Sequence, residues 1–362
     1  MIKRKLNIYL LFFYFIIINT FFSTKFIAQT YNSWVNTTQT YFKFPITKTG
    51  IYQIDSATLA TKFNLSSLNP KNIQLFFAGK EQALFINGEN DNKINNGDYL
   101  QFYLNVQDAN LDSLIYANIA YLPNRYQMIF NDTVYAFLTT NSSTSNKRYS
   151  IETDTTWASY PTANFVYSNK IFKPVDSYNT ANNYPYQASD PRYTQNEGFG
   201  LKFEKGITVN TNFGFLNVYT LTPLPSYLSY VFSGYSQENS GQIDHEVETG
   251  YVNQLGVNVS LKDTAFFSFK PFFQSYTVTN QNFNDASSLY ISSVANPSFS
   301  AFSNSCILHY MSFTYPQILD LNGINYNEII SSNGTIGTKQ FYDFQNASNT
   351  NTIINCYDVT NF

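Results

Sequence analysis

Two cysteines, Cys306 and Cys356, and two histidines, His245 and His309, are the chain's whole supply of thiol and imidazole. Cys306 and His309 stand three apart in Ser305-Cys-Ile-Leu-His-Tyr-Met311. Thiol nucleophilic chemistry needs such a pair within hydrogen-bond reach, the imidazole lowering the thiol pKa. In a strand, however, residues three apart point to opposite faces, so the pair is expected to stay apart and to be structural. His245 is flanked by Asp244 and Glu246 and has the composition of a base or a metal ligand. Alternation along a strand sends both carboxylates to the face opposite the imidazole, so a surface or core histidine is expected.

Oxygen-rich residues offer other chemistry. The loop 87–98 carries Asp91, Asn92 and Asp98, which a hard cation such as calcium could use. It lacks the alternating ligands that end in a bidentate Glu, and its Asn-Gly and Gly-Asp pairs are ordinary turn residues. Asp-Ser/Thr-aliphatic triplets begin at Asp55, Asp112, Asp132 and Asp263, and they are candidate O-glycosylation acceptors as well as caps and turns. Tyr184, Tyr186 and Tyr193 could stack against a sugar or simply pack a long loop. None of these residues is assigned a catalytic, cofactor-binding or metal role.

The elements that must position these groups read as strands. Short alternating runs recur at 41–44, 50–54, 73–77, 83–86 and 99–104, and again at 201–203, 213–218, 227–232, 256–260, 265–269 and 307–313. One short helix is expected from Ser56 to Phe63, with Asp55 or Ser56 as its cap. Frequent strands with turn signals define an all-β chain of two β-sandwich-like domains with minor short helices. The expected limits are 29–155 for the first domain, 156–195 for an irregular linking segment and 196–362 for the second.

Ahead of these lies a basic start at Lys3, Arg4 and Lys5, an apolar run from Leu6 to Ile18, and the exit Ala28-Gln29. This is the order of a signal peptide spanning 1–28. A retained membrane anchor is the alternative, since the stretch to Phe22 approaches the ~20 residues that span a bilayer. Export would place the protein in the periplasm, the outer membrane or at the cell surface. It would also permit a Cys306–Cys356 disulfide, although two free thiols packed as small hydrophobes are the plainer reading. A net charge of −3 and only 12% charged residues give no basis for binding nucleic acid.

One resemblance runs along nearly all of 29–362. Thr49-Gly-Ile-Tyr-Gln-Ile54 is followed by Phe77-Ala-Gly-Lys-Glu-Gln82, Gly97-Asp-Tyr-Leu-Gln-Phe-Tyr103, Leu111-Asp112, Arg125-Tyr126 and Phe130-Asn-Asp132 with Tyr135. Ser189-Asp-Pro-Arg-Tyr193, Glu197-Gly-Phe-Gly200, Phe313-Thr-Tyr-Pro316 with Leu319-Asp320, and Cys356-Tyr-Asp-Val-Thr-Asn361 continue the series. In order and spacing these resemble the N-terminal, pre-catalytic region of the type IX secretion (Por) system sortase and its gingipain-like cysteine-peptidase relatives in Bacteroidetes. The resemblance implies an exported protein related to peptidases that process secreted cargo. It also implies that the Cys nucleophile and His base lie in a following caspase-like domain, so no family catalytic residue maps onto 1–362. Whether this chain is itself an enzyme is left open. The implied partners are a C-terminal peptidase domain or other secretion-system proteins. A stand-alone adhesin or glycan binder, with surface polysaccharide as partner, is the alternative. No cofactor is implied.

Overall fold

The computed structural model describes residues 33–106, 112, 115–116, 118–129, 133–142, 145–180, 196–214, 216–237, 241–294, 304–322, 328–331, 339–346 and 356–359. The expected signal peptide and Tyr184, Tyr186 and Tyr193 lie outside them. The structure is mostly β, with antiparallel sheets and one short α-helix. Among the described residues no helix is long and apolar enough to cross a membrane.

Two small sheets form from the first part of the chain. One has the order β1 (Phe42–Ile46), β7 (Val134–Thr140), β3 (Ile73–Phe77), β4 (Lys80–Gln82). The other is β2 (Gly50–Asp55), β6 (Tyr99–Leu104), β5 (Phe85–Ile86). Phe77 pairs with Lys80 across a two-residue turn, and both turn residues, Ala78 and Gly79, have positive φ. That is the twist a tight hairpin needs. Alternate side chains of both sheets, among them Ile46, Leu75, Leu100, Phe102 and Leu138, enter one apolar cluster.

The helix α1 (Ser56–Ala60) is shorter than expected. Asp55 caps it, accepting from Thr58 N at 2.7 Å. The chain then leaves through a turn, with Thr61 N bonded to Thr58 O. Phe63 still reaches the core, its ring edge-on to Phe42 at 4.8 Å.

The second part builds larger sheets. β17 (Cys306–Gln317) runs through a six-stranded sheet. On one side it pairs with β12 (Pro225–Gly234), which pairs in turn with β15 (Pro271–Thr279). On its other side two shorter strands share its length. β10 (Gly198–Phe203) takes Cys306–Leu308 and β8 (Val166–Phe172) takes Met311–Gln317. β9 (Ser177–Asn179) closes the edge beside β10. A four-stranded sheet has the order β11 (Thr208–Asn212), β16 (Ser288–Ser293), β13 (His245–Val252), β14 (Asn258–Phe266). Side chains from both sheets, including Leu228, Phe232, Val247, Ile291, Phe313 and Tyr315, meet in one apolar cluster.

Two expectations about this part differ from the structure. Within the segment 156–195, expected to be irregular, Val166–Phe172 and Ser177–Asn179 are strands β8 and β9. Asn169, on the open outward face, and Lys170, on the opposite face beside Phe313, both break the apolar alternation of β8. Conversely, the described residues of 213–218 form no strand. Gly214 and Asn217 hold φ of 76° and 55°, which the extended ladder does not accommodate.

The two parts are tied by the segment around 115–129. Tyr116 donates to Glu197 O, Asn196 N donates to Tyr121 O at 3.2 Å, and Lys173 Nζ donates to Tyr126 O at 2.8 Å. Tyr126 meets Tyr310 of β17 edge-on at 5.0 Å.

Candidate functional site

The buried thiol and both imidazoles gather where β12, β13 and β17 end together. β12 and β17 do not run in simple register: Val231 opposes Tyr310 while Phe232 opposes Leu308. His309 is therefore the extra residue of a β-bulge. The bulge flips the phase of β17, so that Cys306 and Leu308 before it and Met311, Phe313 and Tyr315 after it all enter the same cluster. Without the bulge, one half of this strand would turn its large side chains to the wrong face.

His309 lies on the far side of the sheet from that cluster and is fully buried. Its Nδ1 is 2.9 Å from Phe199 O and its Nε2 is 3.1 Å from Ser233 Oγ. A carbonyl only accepts, so Nδ1 carries the proton and Nε2 accepts from the serine hydroxyl. Asn124 Nδ2 donates to His309 O at 2.9 Å and covers the bulge. Burial pushes the His309 imidazole down to about 4, opposed only by the bond to Phe199 O. The unfolded chain binds this proton near pH 6.5, so stability is whole above that value and falls as pH drops toward 4. The expected loss is about 3 kcal/mol. Urea unfolding between pH 7 and 4 measures it. An NMR titration of the His309 ring with a midpoint near 6.5 would refute the neutral, buried assignment.

His245 lies on the other side, between the sheets. Its ring stacks on Phe266 with centroids 4.7 Å apart. Nδ1 is 2.5 Å from Asp244 Oδ1, and Nε2 is 3.0 Å from Ser305 O and 3.4 Å from Ser236 Oγ. This corrects the expected geometry. Asp244 does not point away from the imidazole, because it precedes the first ladder residue of β13 and its side chain folds back beneath the sheet. The same carboxylate oxygen accepts from Ser268 N at 2.9 Å, and Ser268 itself has φ 66°.

Ser236, His245 and Asp244 thus have the order of atoms of a hydrolytic triad, a grouping that the sequence did not suggest. Its chemistry is blocked. A general base needs a lone pair on Nε2 facing the serine, whereas here Nε2 faces the Ser305 carbonyl at 3.0 Å and must donate to it. His245 is also wholly buried. A Cβ built on Gly234 would sit 2.1 Å from Ser268 O and 3.1 Å from His245 Nε2, so the strand end is closed over the ring.

Cys306 and His309 do not meet. Cys306 Sγ faces Asn304 Oδ1 at 3.8 Å, and burial, then the Asp244 and Glu204 charges, raise its thiol well above the ordinary range. Cys306 and Cys356 are both free, the first buried and the second exposed.

The remaining candidates are engaged locally. Asp91 accepts from Lys93 N and Asn95 Nδ2, and Asp98 accepts from Asn95 N at 2.7 Å. These bonds shape the 87–98 turn. Among the described residues no group of three or more His, Cys, Asp or Glu could hold a metal. Of the triplet hydroxyls, Ser56 is buried and accepts from Gly97 N, and Thr264 is buried and accepts from Gln274 Nε2.

No family model matches the chain, and no curated protein matches it. Among solved structures, a chain from the structure of the infectious bursal disease virus Gx strain is similar at 9% identity and a TM-score of 0.21, over 80% of this chain and 74% of that one. A likeness that low carries no argument for fold or function.

Proposed function

We propose that this chain is a non-catalytic module of an exported peptidase system, the N-terminal region of a type IX secretion system sortase-like cysteine peptidase. In this reading two β-sandwich-like units follow a signal peptide and form a frame that docks or supports a gingipain-like peptidase domain. One observation carries the reading: His245, His309 and the Cys306 thiol are each buried and bonded to fixed groups inside the sheets. Residues that could do nucleophilic work are used to hold strands together, which suits a frame.

Two measurements test it. A thiol-reactive active-site probe on the native chain is expected to label the exposed Cys356 and to spare Cys306 until the protein unfolds. Rapid native labelling of Cys306 would reverse the reading toward a protease. Mixed with a gingipain-like cysteine-peptidase domain, the chain is expected to form a stoichiometric complex and raise that domain's melting temperature. No association at tens of micromolar would sink the module reading.

A second reading, an exported glycan binder, is favoured by exposed rings on the outer face of the six-stranded sheet, Tyr227 and Phe273 among them. Saturable binding of the purified chain to cell-surface polysaccharide tests that reading.

A further inference from the structure

The six-stranded sheet has one face in the shared core and one turned outward. The outward face is covered near His309 by Asn124 and Tyr126, but further along, among the described residues, Tyr227, Phe273, Ser275, Thr277 and Asn169 are exposed. Register places Thr314 of β17 between Tyr227 of β12 and Asn169 of β8, with Thr277 of β15 beyond Tyr227. On this face Tyr227 and Phe273 are 47% and 52% exposed. The Tyr227 and Tyr167 rings lean toward each other across β17, their centroids 6.4 Å apart.

Between the rings the face is hydroxyl and amide. Ser229 and Ser275 Oγ are 3.3 Å apart, and Thr314 Oγ1 donates to Asn169 Oδ1 at 3.1 Å. Each such bond uses only part of the donor and acceptor capacity of these groups. No Lys, Arg, Asp, Glu or His occupies the outward positions paired along Ser312–Pro316, Ser226–Val231 and Phe273–Val278. Phe273 stands four residues from Thr277, the partner of Tyr227, so the rings span roughly 14 Å along the strands.

We infer that this open face binds an uncharged oligosaccharide lying along the strands, its sugar faces on Tyr227 and Phe273 and its hydroxyls on Ser275, Thr314 and Asn169. The choice of occupant follows from the chemistry. An apolar protein surface would bury these hydroxyls and the amide without partners, at a cost in free energy. A hydroxylated ligand satisfies them while its C–H faces cover the rings. A charged polysaccharide finds no countercharge among the outward positions, so charge complementarity selects a neutral one. This rests on the second reading above and moves its binding surface away from Tyr184, Tyr186 and Tyr193.

The test is calorimetric titration of the purified chain with neutral hexasaccharides (cellohexaose, laminarihexaose, mannohexaose, maltohexaose and chitohexaose), with heparin hexasaccharide as the charged comparator. At least one neutral sugar is expected to bind. Tyr227→Ala and Phe273→Ala should each weaken it by about tenfold, with the melting temperature unchanged and Trp157→Ala without effect. Binding lost in a Tyr184→Ala/Tyr186→Ala/Tyr193→Ala variant but kept in Tyr227→Ala would overturn this surface while preserving the glycan reading. No neutral sugar bound at millimolar concentration, binding of heparin alone, or self-association abolished by Tyr227→Ala would overturn the inference itself.

Discussion

Asp244→Ala is expected to destabilise the protein by about 3–5 kcal/mol, because it strips the buried His245 ring of the carboxylate bonded to it. The geometry leaves little room for compensation. Both ring nitrogens of His245 face acceptors, Nε2 the Ser305 carbonyl at 3.0 Å and Nδ1 the Asp244 Oδ1 at 2.5 Å, so the ring donates from both and Asp244 is the carboxylate that balances it. The same oxygen serves Ser268 N, so truncation orphans two donors at once. Asp244→Asn keeps an acceptor but removes the charge, and should fall between wild type and Ala. The double variant Asp244→Ala/His245→Phe should lose less than the two single losses combined, since the phenyl ring needs no partner and preserves the stack on Phe266. Urea midpoints for wild type, Asp244→Ala, Asp244→Asn, His245→Phe and the double variant decide the matter. An Asp244→Ala protein within 1 kcal/mol of wild type would mean that the pair does not hold the sheet ends together.

The second large effect is expected at the centre of the same sandwich-like core. Phe313 is 1% exposed and touches three rings: Phe283 at 4.6 Å, Tyr315 at 4.7 Å and Phe213 at 6.3 Å. Phe313→Ala should cost about 3–5 kcal/mol, through lost burial and a cavity that neighbouring strands cannot close. Phe313→Leu keeps much of the volume and should cost under about 1.5 kcal/mol. Equal losses for the two would show that the ring contacts are not what stabilises this position. Because Phe213 lies in a segment held out of strand conformation by Gly214 and Asn217, the loss should also free that segment for hydrogen exchange.

The pattern of what could be read from residue types follows the physics of alternation. β3, β6 and the middle of β17 carry large apolar residues at every second position or in short buried runs, and their existence was plain. β8 was not, because polar residues on its solvent side match those of a loop. The opposed placement of Cys306 and His309 followed from strand geometry, and it holds even though a bulge intervenes. The position of Asp244 did not follow, because alternation applies only inside a ladder and Asp244 lies one residue before it. Nor could residue spacing reveal that Phe199 O fixes the tautomer of His309 and that Ser305 O takes the Nε2 proton of His245, both carbonyls coming from distant positions in the chain.

β17 also sets an order of assembly. Strands β8, β10 and β12 all precede it in the chain, and none of the three pairs with another. Until β17 is in place, the other strands of the six-stranded sheet can pair only as β9–β10 and β12–β15, and β8 has no partner strand. Closure through such distant pairings is slow. During synthesis the six-stranded sheet therefore stays incomplete until its late central strand emerges, whereas the sheets that precede β17 need not wait for it.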